Sequence, residues 1–401
     1  MRHHFVLFLA GAAAIGAIAW SAQVTTPPKA RYQMDVSTSS GFGAGGANPM
    51  KMMFGGRGGG SSVAHTLTLR LGSTLAPTGG GPQADHFMPD GMQLGPSVPL
   101  LTPTPSASKP GPTSESPTEF RRPKGRLLIF WGCGAHAGPG QPVIFDFAKI
   151  ADGQYPPNLF STAVPVDPGP TFGNSRTFGD WPNSSSTKGL RSNSSLLGDH
   201  RVAGNYSPEI KFALDQDFMA PLQGRGSDQG DGSVLLSWNS VPAATGYYAM
   251  IFGAKNAGND SADMVWWVSS SSRQIGGGLT DWLPPATVAS LIASKTVMPP
   301  DQTSCQVPAE VKSAAQFMMT QLYAYGPERN FAYPPRPANP KVAWRPDWTA
   351  KVRYRSTTSL MLGMPGMGDM GDSGGNGASG DGSKPKPKCK PRITLGGFKP
   401  C

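Results

Sequence analysis

Apolar and polar residues alternate with a period of two along much of the chain, a pattern that predicts strands rather than helices. In the stretch from Val234 to Gly253, Val234, Leu236 and Trp238 point one way and Leu235, Ser237 and Asn239 the other. Pro242 and Gly246 then supply turn chemistry, and Tyr247 to Phe252 is a second apolar run rich in aromatic residues. The same alternation predicts strands at Tyr32 to Ser37, Ala64 to Leu71, Arg126 to Trp131, Pro142 to Phe147, Glu209 to Asp215, Met264 to Ser269 and Thr349 to Arg355. Val288, Leu291 and Ile292 share one face of a short helix from Pro285 to Ala293. Ala314 to Tyr325 supports two readings, a helix begun at Pro308 and a strand begun at Phe317, of which the strand is favoured.

Breakers separate these elements. Gly41 to Gly60 holds nine glycines, too large an ordering entropy for a packed element, and Ala76 to Pro123 is rich in Pro, Ser, Thr and Gly. Tyr155 to Gly204 is polar and turn-rich, and Gly224 to Gly232 reads as a linker. The expected architecture is therefore all-β, with two β-sandwich-like domains at 30–223 and 233–356. Disordered inserts are expected at 41–61 and 76–123, and a low-complexity tail over 357–401. Composition agrees, since 52 glycines, 41 prolines and only 15% charged residues leave much of the 401-residue chain outside any core.

A Trp closing one strand, followed by V-P-x-A-T-G-Y-Y opening the next, resembles the region between the second and third strands of fibronectin type III domains. The resemblance implies that Trp238 packs between two sheets and that the strand carrying Tyr247 or Tyr248 lies across it. LYAYGPE, Leu322 to Glu328, is similar to the strand before that family's last hairpin. A fold is implied in this way, and no activity.

Met1 to Ala19 has a basic start at Arg2, an apolar stretch and a small-x-small site at Ala17-Ile18-Ala19, which reads as a secretory signal peptide of bacterial type. Phe5 to Trp20 would be short for a retained anchor. No Cys follows directly, so a lipoprotein is not indicated. In an exported, periplasmic or secreted protein the four cysteines are expected to pair. The favoured pairs are Cys389 with Cys401 and Cys133 with Cys305, with the other two connectivities open.

Candidate chemistry is sparse. GDSGG at 371–375 spells the nucleophile motif of chymotrypsin-like proteases, and Val63-Ala64-His65 loosely matches their His segment. The motif sits in a Gly/Ser/Asp-rich tract with nothing rigid to hold a nucleophile, so it is read as a chance match and no enzyme is expected. None of the six histidines forms an H-x-x-x-H pair, Cys133 and His136 lack a second ligand pair, and no P-loop or dinucleotide fingerprint is present.

Three other features suggest binding. Met361, Met364, Met367 and Met370 recur every third residue, Met50, Met52 and Met53 cluster, and Met88 and Met92 lie near His86; thioethers suit Cu(I) or Ag(I). The first set resembles the methionine-rich segments of exported copper-handling proteins, though it lacks their usual His. The net charge of +10 is unevenly spread, and the most basic segment is the C-terminus, where Lys384, Lys386, Lys388, Lys390, Arg392 and Lys399 could dock on anionic envelope polymers. Of the adjacent Trp266 and Trp267, one faces the core of its strand and the other is free to serve as a sugar-stacking or interdomain surface.

The expectation is an exported, non-enzymatic binding or scaffold protein of the cell envelope. Its partner would be an envelope polymer or protein, with no nucleic acid, and a membrane would be met only through the signal peptide. The alternative is periplasmic handling of Cu(I) or Ag(I) through the methionines, with no other cofactor.

Overall fold

A computed structural model describes residues 26–44, 63–103, 125–152, 154, 164–255, 263–276, 278–339, 341–362, 392–394 and 397–399. In chain order the strands are β1 (Ala30–Gly41), β2 (Val63–Ser73), β3 (Ala84–Phe87), β4 (Ser97–Pro99), β5 (Arg126–Trp131) and β6 (Val143–Asp146). A short helix α1 (Phe147–Ala151) follows, capped by Asp146, whose carboxylate accepts from the Ala148 N–H. Next come β7 (Thr177–Trp181), β8 (Gly198–Gly204), β9 (Ile210–Leu214), β10 (Gly224–Asp228), β11 (Val234–Trp238), β12 (Gly246–Lys255) and β13 (Asp263–Val268). Helix α2 (Pro285–Ala293), β14 (Ser304–Val307), helix α3 (Ala309–Ala314), β15 (Phe317–Tyr333) and β16 (Trp348–Leu362) complete the first compact unit, Met1–Gly368. In the second unit, Asp369–Cys401, β17 (Arg392–Thr394) and β18 (Gly397–Lys399) pair as an antiparallel hairpin.

The protein is all-β, but its strands are not divided between two sandwiches. A nine-stranded sheet runs β6-β5-β13-β12-β15-β16-β1-β2-β7, so strands from either side of 224–232 interleave. β1 pairs in parallel with β16 along its whole length and antiparallel with β2 on its other side. Two smaller sheets, β4-β3-β8-β9 and β10-β11-β14, cover one face of the large sheet. The main core lies between them, with Tyr32, Met34, Leu69, Trp267 and Leu322 of the large sheet against Met92, Val202, Ile210, Leu236 and Val307. On the opposite face α2 and the segments around Val164 and Ile275 to Leu283 seal a second core over Tyr248, Met250 and Val268.

Several expectations change for local reasons. The insert expected over 76–123 contributes β3 and β4, because Ala84, His86, Met88, Met92, Leu94, Val98 and Leu100 are all buried between its prolines and glycines. The expected linker at 224–232 begins with β10, paired to β11. Its glycines fit because a Cβ on Gly226 would collide with the Leu362 side chain. The polar stretch 155–204 contains β7 and β8, and the tail expected from 357 starts later, since β16 continues to Leu362. Both readings of the region after Pro308 have a part: α3 occupies Ala309–Ala314 and β15 starts at Phe317. Helix α2 has the expected bounds.

β11 and β12 lie in different sheets, and Trp238 packs between them against Tyr247 with ring centroids 5.5 Å apart. The Val241 N–H donates to the Tyr247 hydroxyl at 2.9 Å and fixes the turn between them. Cys133, just after β5, is bonded to Cys305 of β14, which ties the three-stranded sheet to the large one. Among the described residues no helix is long and apolar enough to cross a membrane.

Candidate functional site

Because β-strands alternate, the large sheet presents one set of side chains to the main core and the other set to its opposite face. On that opposite face the character changes from strand to strand. Toward β16, β1 and β2 it is charged. Arg353 donates from Nε (2.6 Å) and Nη2 (3.0 Å) to the two oxygens of buried Asp35, which also accepts from Arg70 and from Gln33 at 3.0 Å. Arg353 Nη1 continues to the carbonyls of Asp167 and Trp282. Lys351 meets Asp167 at 2.7 Å and Glu328 at 3.6 Å. Burial works against the Asp167 carboxylate, but the Lys351 and Gly169 donors and the charges of Lys351 and Arg353 outweigh it and hold its pKa below the usual range. Trp282 lies over this group, with the Arg355 guanidinium 3.4 Å from its ring centroid. Desolvation lowers the Arg355 pKa. Each member meets another in a hydrogen bond or an ion pair, so the cluster holds the fold, with Glu328 Oε2 buried and facing Lys351 without a hydrogen bond.

A second polar chain crosses the main core. Leu196 O can only accept, so His200 Nε2 donates to it at 2.7 Å and neutral His200 must accept at Nδ1. His86 Nε2 therefore donates to His200 Nδ1 at 3.0 Å, and the Tyr32 hydroxyl donates to His86 Nδ1 at 2.6 Å. Burial, followed by the neighbouring His200, pushes His86 well below its ordinary pKa; burial also lowers His200 and raises Tyr32 well above. The chain satisfies every ring nitrogen in the neutral state and is sealed from solvent, so it has no access to a substrate.

The uncovered part of the opposite face lies beyond both. One row crosses four adjacent strands through successive Cα partners: Trp266 to Phe252, Phe252 to Met319, and Met319 to Met361. Phe252 is 40% exposed, with its ring 4.9 Å from that of Trp266, and Met264 beside them is 44% exposed. The next row inward pairs Gln321 with Ser359, and the one after it pairs Tyr323 with Thr357 and Thr357 with Ser39. The Tyr323 hydroxyl donates to Gln321 Oε1 at 2.7 Å, and Thr357 Oγ1 donates to Ser39 Oγ at 3.2 Å. An aromatic and thioether row thus borders a half-buried grid of hydroxyls and an amide. Elsewhere, an open groove of about 380 Å³ is walled by Pro27, Pro28, Trp344 and Pro346, with Arg336 over Trp344.

The expected site residues fall unevenly on this map. Trp266 borders the open face, but Trp267 is withdrawn from the surface: it is fully buried on the other face and donates from Nε1 to Gly132 O at 3.0 Å. Cys133 and Cys305 form the disulfide, so the Cys133/His136 pair offers no thiolate, and His136 instead meets Glu310 at 3.1 Å. Met88 and Met92 are core residues. His65 stacks on Phe218. Met361 lies in β16 and Arg392 in β17. Met364, Met367, Met370, Cys389, Cys401, Lys384, Lys386, Lys388, Lys390 and the GDSGG string lie outside the described residues. Among the described residues no three His, Cys, Asp or Glu side chains gather as a metal site.

Sequence reasoning did not single out Phe252, Met319, Gln321, Tyr323 or Thr357. Their in-phase positions within β12, β15 and β16 were the available signal, but only the pairing of the strands places them together. The fold and this face define an all-β, disulfide-tied protein whose large sheet leaves part of one face open. Comparison with protein-family models, curated proteins and solved structures gives no match to any of them.

Proposed function

We propose that this is an exported, non-enzymatic binding or scaffold protein of the cell envelope that holds an envelope polymer on the open face of its large sheet. The observation that carries the reading is the row of Trp266 and exposed Phe252 beside the grid of Gln321, Tyr323, Thr357 and Ser359. A sugar ring has an apolar face that stacks on an aromatic side chain and hydroxyls that exchange hydrogen bonds with amides and hydroxyls, so the two rows complement it. The Cys133–Cys305 bond supports an oxidising compartment, in keeping with the signal peptide read from the sequence. The basic residues Lys384 to Arg392 would add attraction to an anionic polymer, the membrane enters only through the signal peptide, and nucleic acid is not a partner.

The test is co-sedimentation of the mature protein with lipopolysaccharide and, separately, with a purified acidic polysaccharide. Phe252→Ala is expected to weaken association by about tenfold or more, as for an aromatic anchor. Removal of residues 363–383 should leave association intact; β16 reaches Leu362, so a deletion must start beyond it. Equal binding by Phe252→Ala and the parent protein would sink the reading.

A further inference from the structure

We propose that Met319 and Met361 form a thioether pair that binds a soft monovalent cation, Cu(I) or Ag(I), on the sheet surface. The site goes beyond polymer binding, and it differs from the methionine repeat expected from the sequence because Met319 lies outside that repeat.

The geometry begins with strand pairing. Met319 of β15 and Met361 of β16 are direct antiparallel partners, so both side chains rise from one face with Cβ atoms about 4.5–5.5 Å apart. An unbranched side chain with three rotatable bonds lets each sulfur swing over that gap, and two neutral thioethers can close on one ion from opposite sides. The sheet fixes the two stems, so little backbone ordering remains to oppose binding.

Burial separates this pair from other methionines. Met34, Met92 and Met318 are enclosed in the main core and cannot meet an ion, whereas Met319 and Met361 are half-buried at the open rows. Phe252 stands on the far side of Met319 and Trp266 beyond it, which makes one flank apolar. The row inward holds the neutral Gln321 and Ser359, and its methionine, Met250, is buried in the second core. A hard divalent ion seeks carboxylates and several oxygens, and none of the residues in these two rows is acidic. Neutral sulfur donors with an apolar flank select instead a soft ion of low charge.

The experiment is calorimetric titration of the mature protein with Ag(I), which needs no reductant. Met319→Leu and Met361→Leu, which keep volume and apolar character, are each expected to weaken binding by roughly tenfold or more. The triple change of Met364, Met367 and Met370 to Leu should leave this affinity in place. Oxidative footprinting of the unaltered protein supplies a reading that needs no variant: Ag(I) should protect Met319 and Met361 from peroxide and leave exposed Met264 unprotected. Unchanged affinity in either single variant, loss only in the triple variant, or equal oxidation with and without Ag(I) would each overturn the site. Tyr323→Phe, two rows from the thioethers, should weaken polymer association and keep Ag(I) binding, so failure of one reading is distinguishable from failure of the other.

Discussion

The two faces of the large sheet handle polar groups in opposite ways. Beneath the two small sheets, the buried polar chain from Tyr32 through His86 and His200 to Leu196 is neutral, linear and closed at both ends. On the other face the buried polar group is ionic and branched, with Asp35 at its centre and Arg353, Arg70, Lys351 and Asp167 around it. The neutral chain is internally satisfied, and the ionic group pairs its charges with one another although Arg70 Nε and Glu328 Oε2 are buried without a hydrogen-bond partner. Binding capacity is left to the rows that neither cover reaches, where Phe252, Gln321, Tyr323 and Met319 stand on a scaffold made rigid by what is buried beside them.

The largest effect is expected where the ionic face is cut. Arg353→Met removes two donors from Asp35 and leaves a buried carboxylate with fewer partners, a change that should cost about 3–5 kcal/mol in urea unfolding. Replacing both residues, with Asp35→Leu added, should recover part of the loss because no orphaned charge remains. A single-variant loss below about 1 kcal/mol would place the pair with surface salt bridges, which hold little.

The strands of this ionic face show what a sequence can and cannot reveal. The alternation in Tyr32 to Ser37 and Thr349 to Arg355 announces two strands, and both exist inside β1 and β16. Nothing in either stretch says that they are parallel neighbours, because pairing depends on complementary surfaces far apart in the chain. That contact, together with the parallel pairing of β5 and β13, is why two expected domains became one interleaved sheet. β10 was illegible for another reason: glycine-rich Gly224 to Asp228 has little strand propensity, and its place is set by Leu360 and Leu362 pressing against its backbone. The site was half legible, since Trp266 and Trp267 flagged a strand with an aromatic on each face, but which one faced outward was a matter of packing.

A smaller effect should separate the two faces by pH. The His86 pKa is lowered in the folded protein by burial and by His200, with Tyr32 of β1, His200 of β8 and the neighbouring ring of Phe212 of β9 around the relay, and Asp199 acting on His200. The unfolded chain then binds the proton more readily, so stability is full above about pH 6.5 and declines below it, by at most about 1.4 kcal/mol per pH unit for each such group. Asp167 has the opposite charge type and a lowered folded pKa, so its contribution is present above its unfolded value and is lost as pH falls through the folded value, in the window below about pH 4. His86→Gln should therefore flatten the urea midpoint between pH 5 and about 7 and leave the acid limb unchanged, and Asp167→Asn should do the reverse. Midpoints that shift together in both variants would mean that the two faces do not melt by separate titrations.

The smallest stability effect is expected at the open row, and its smallness is what makes it informative. Phe252 is partly solvated, so truncation to Ala forfeits chiefly its contact with the Trp266 ring, about 0.5–1.5 kcal/mol for an aromatic pair. A core aromatic of the same size would cost about 3–5 kcal/mol. If Phe252→Ala lowers stability only slightly while abolishing polymer association, the row is kept exposed for a ligand. A loss as large as that of a core residue would instead make Phe252 part of the seal over Met250 and Val268, and the open face would end one row further out.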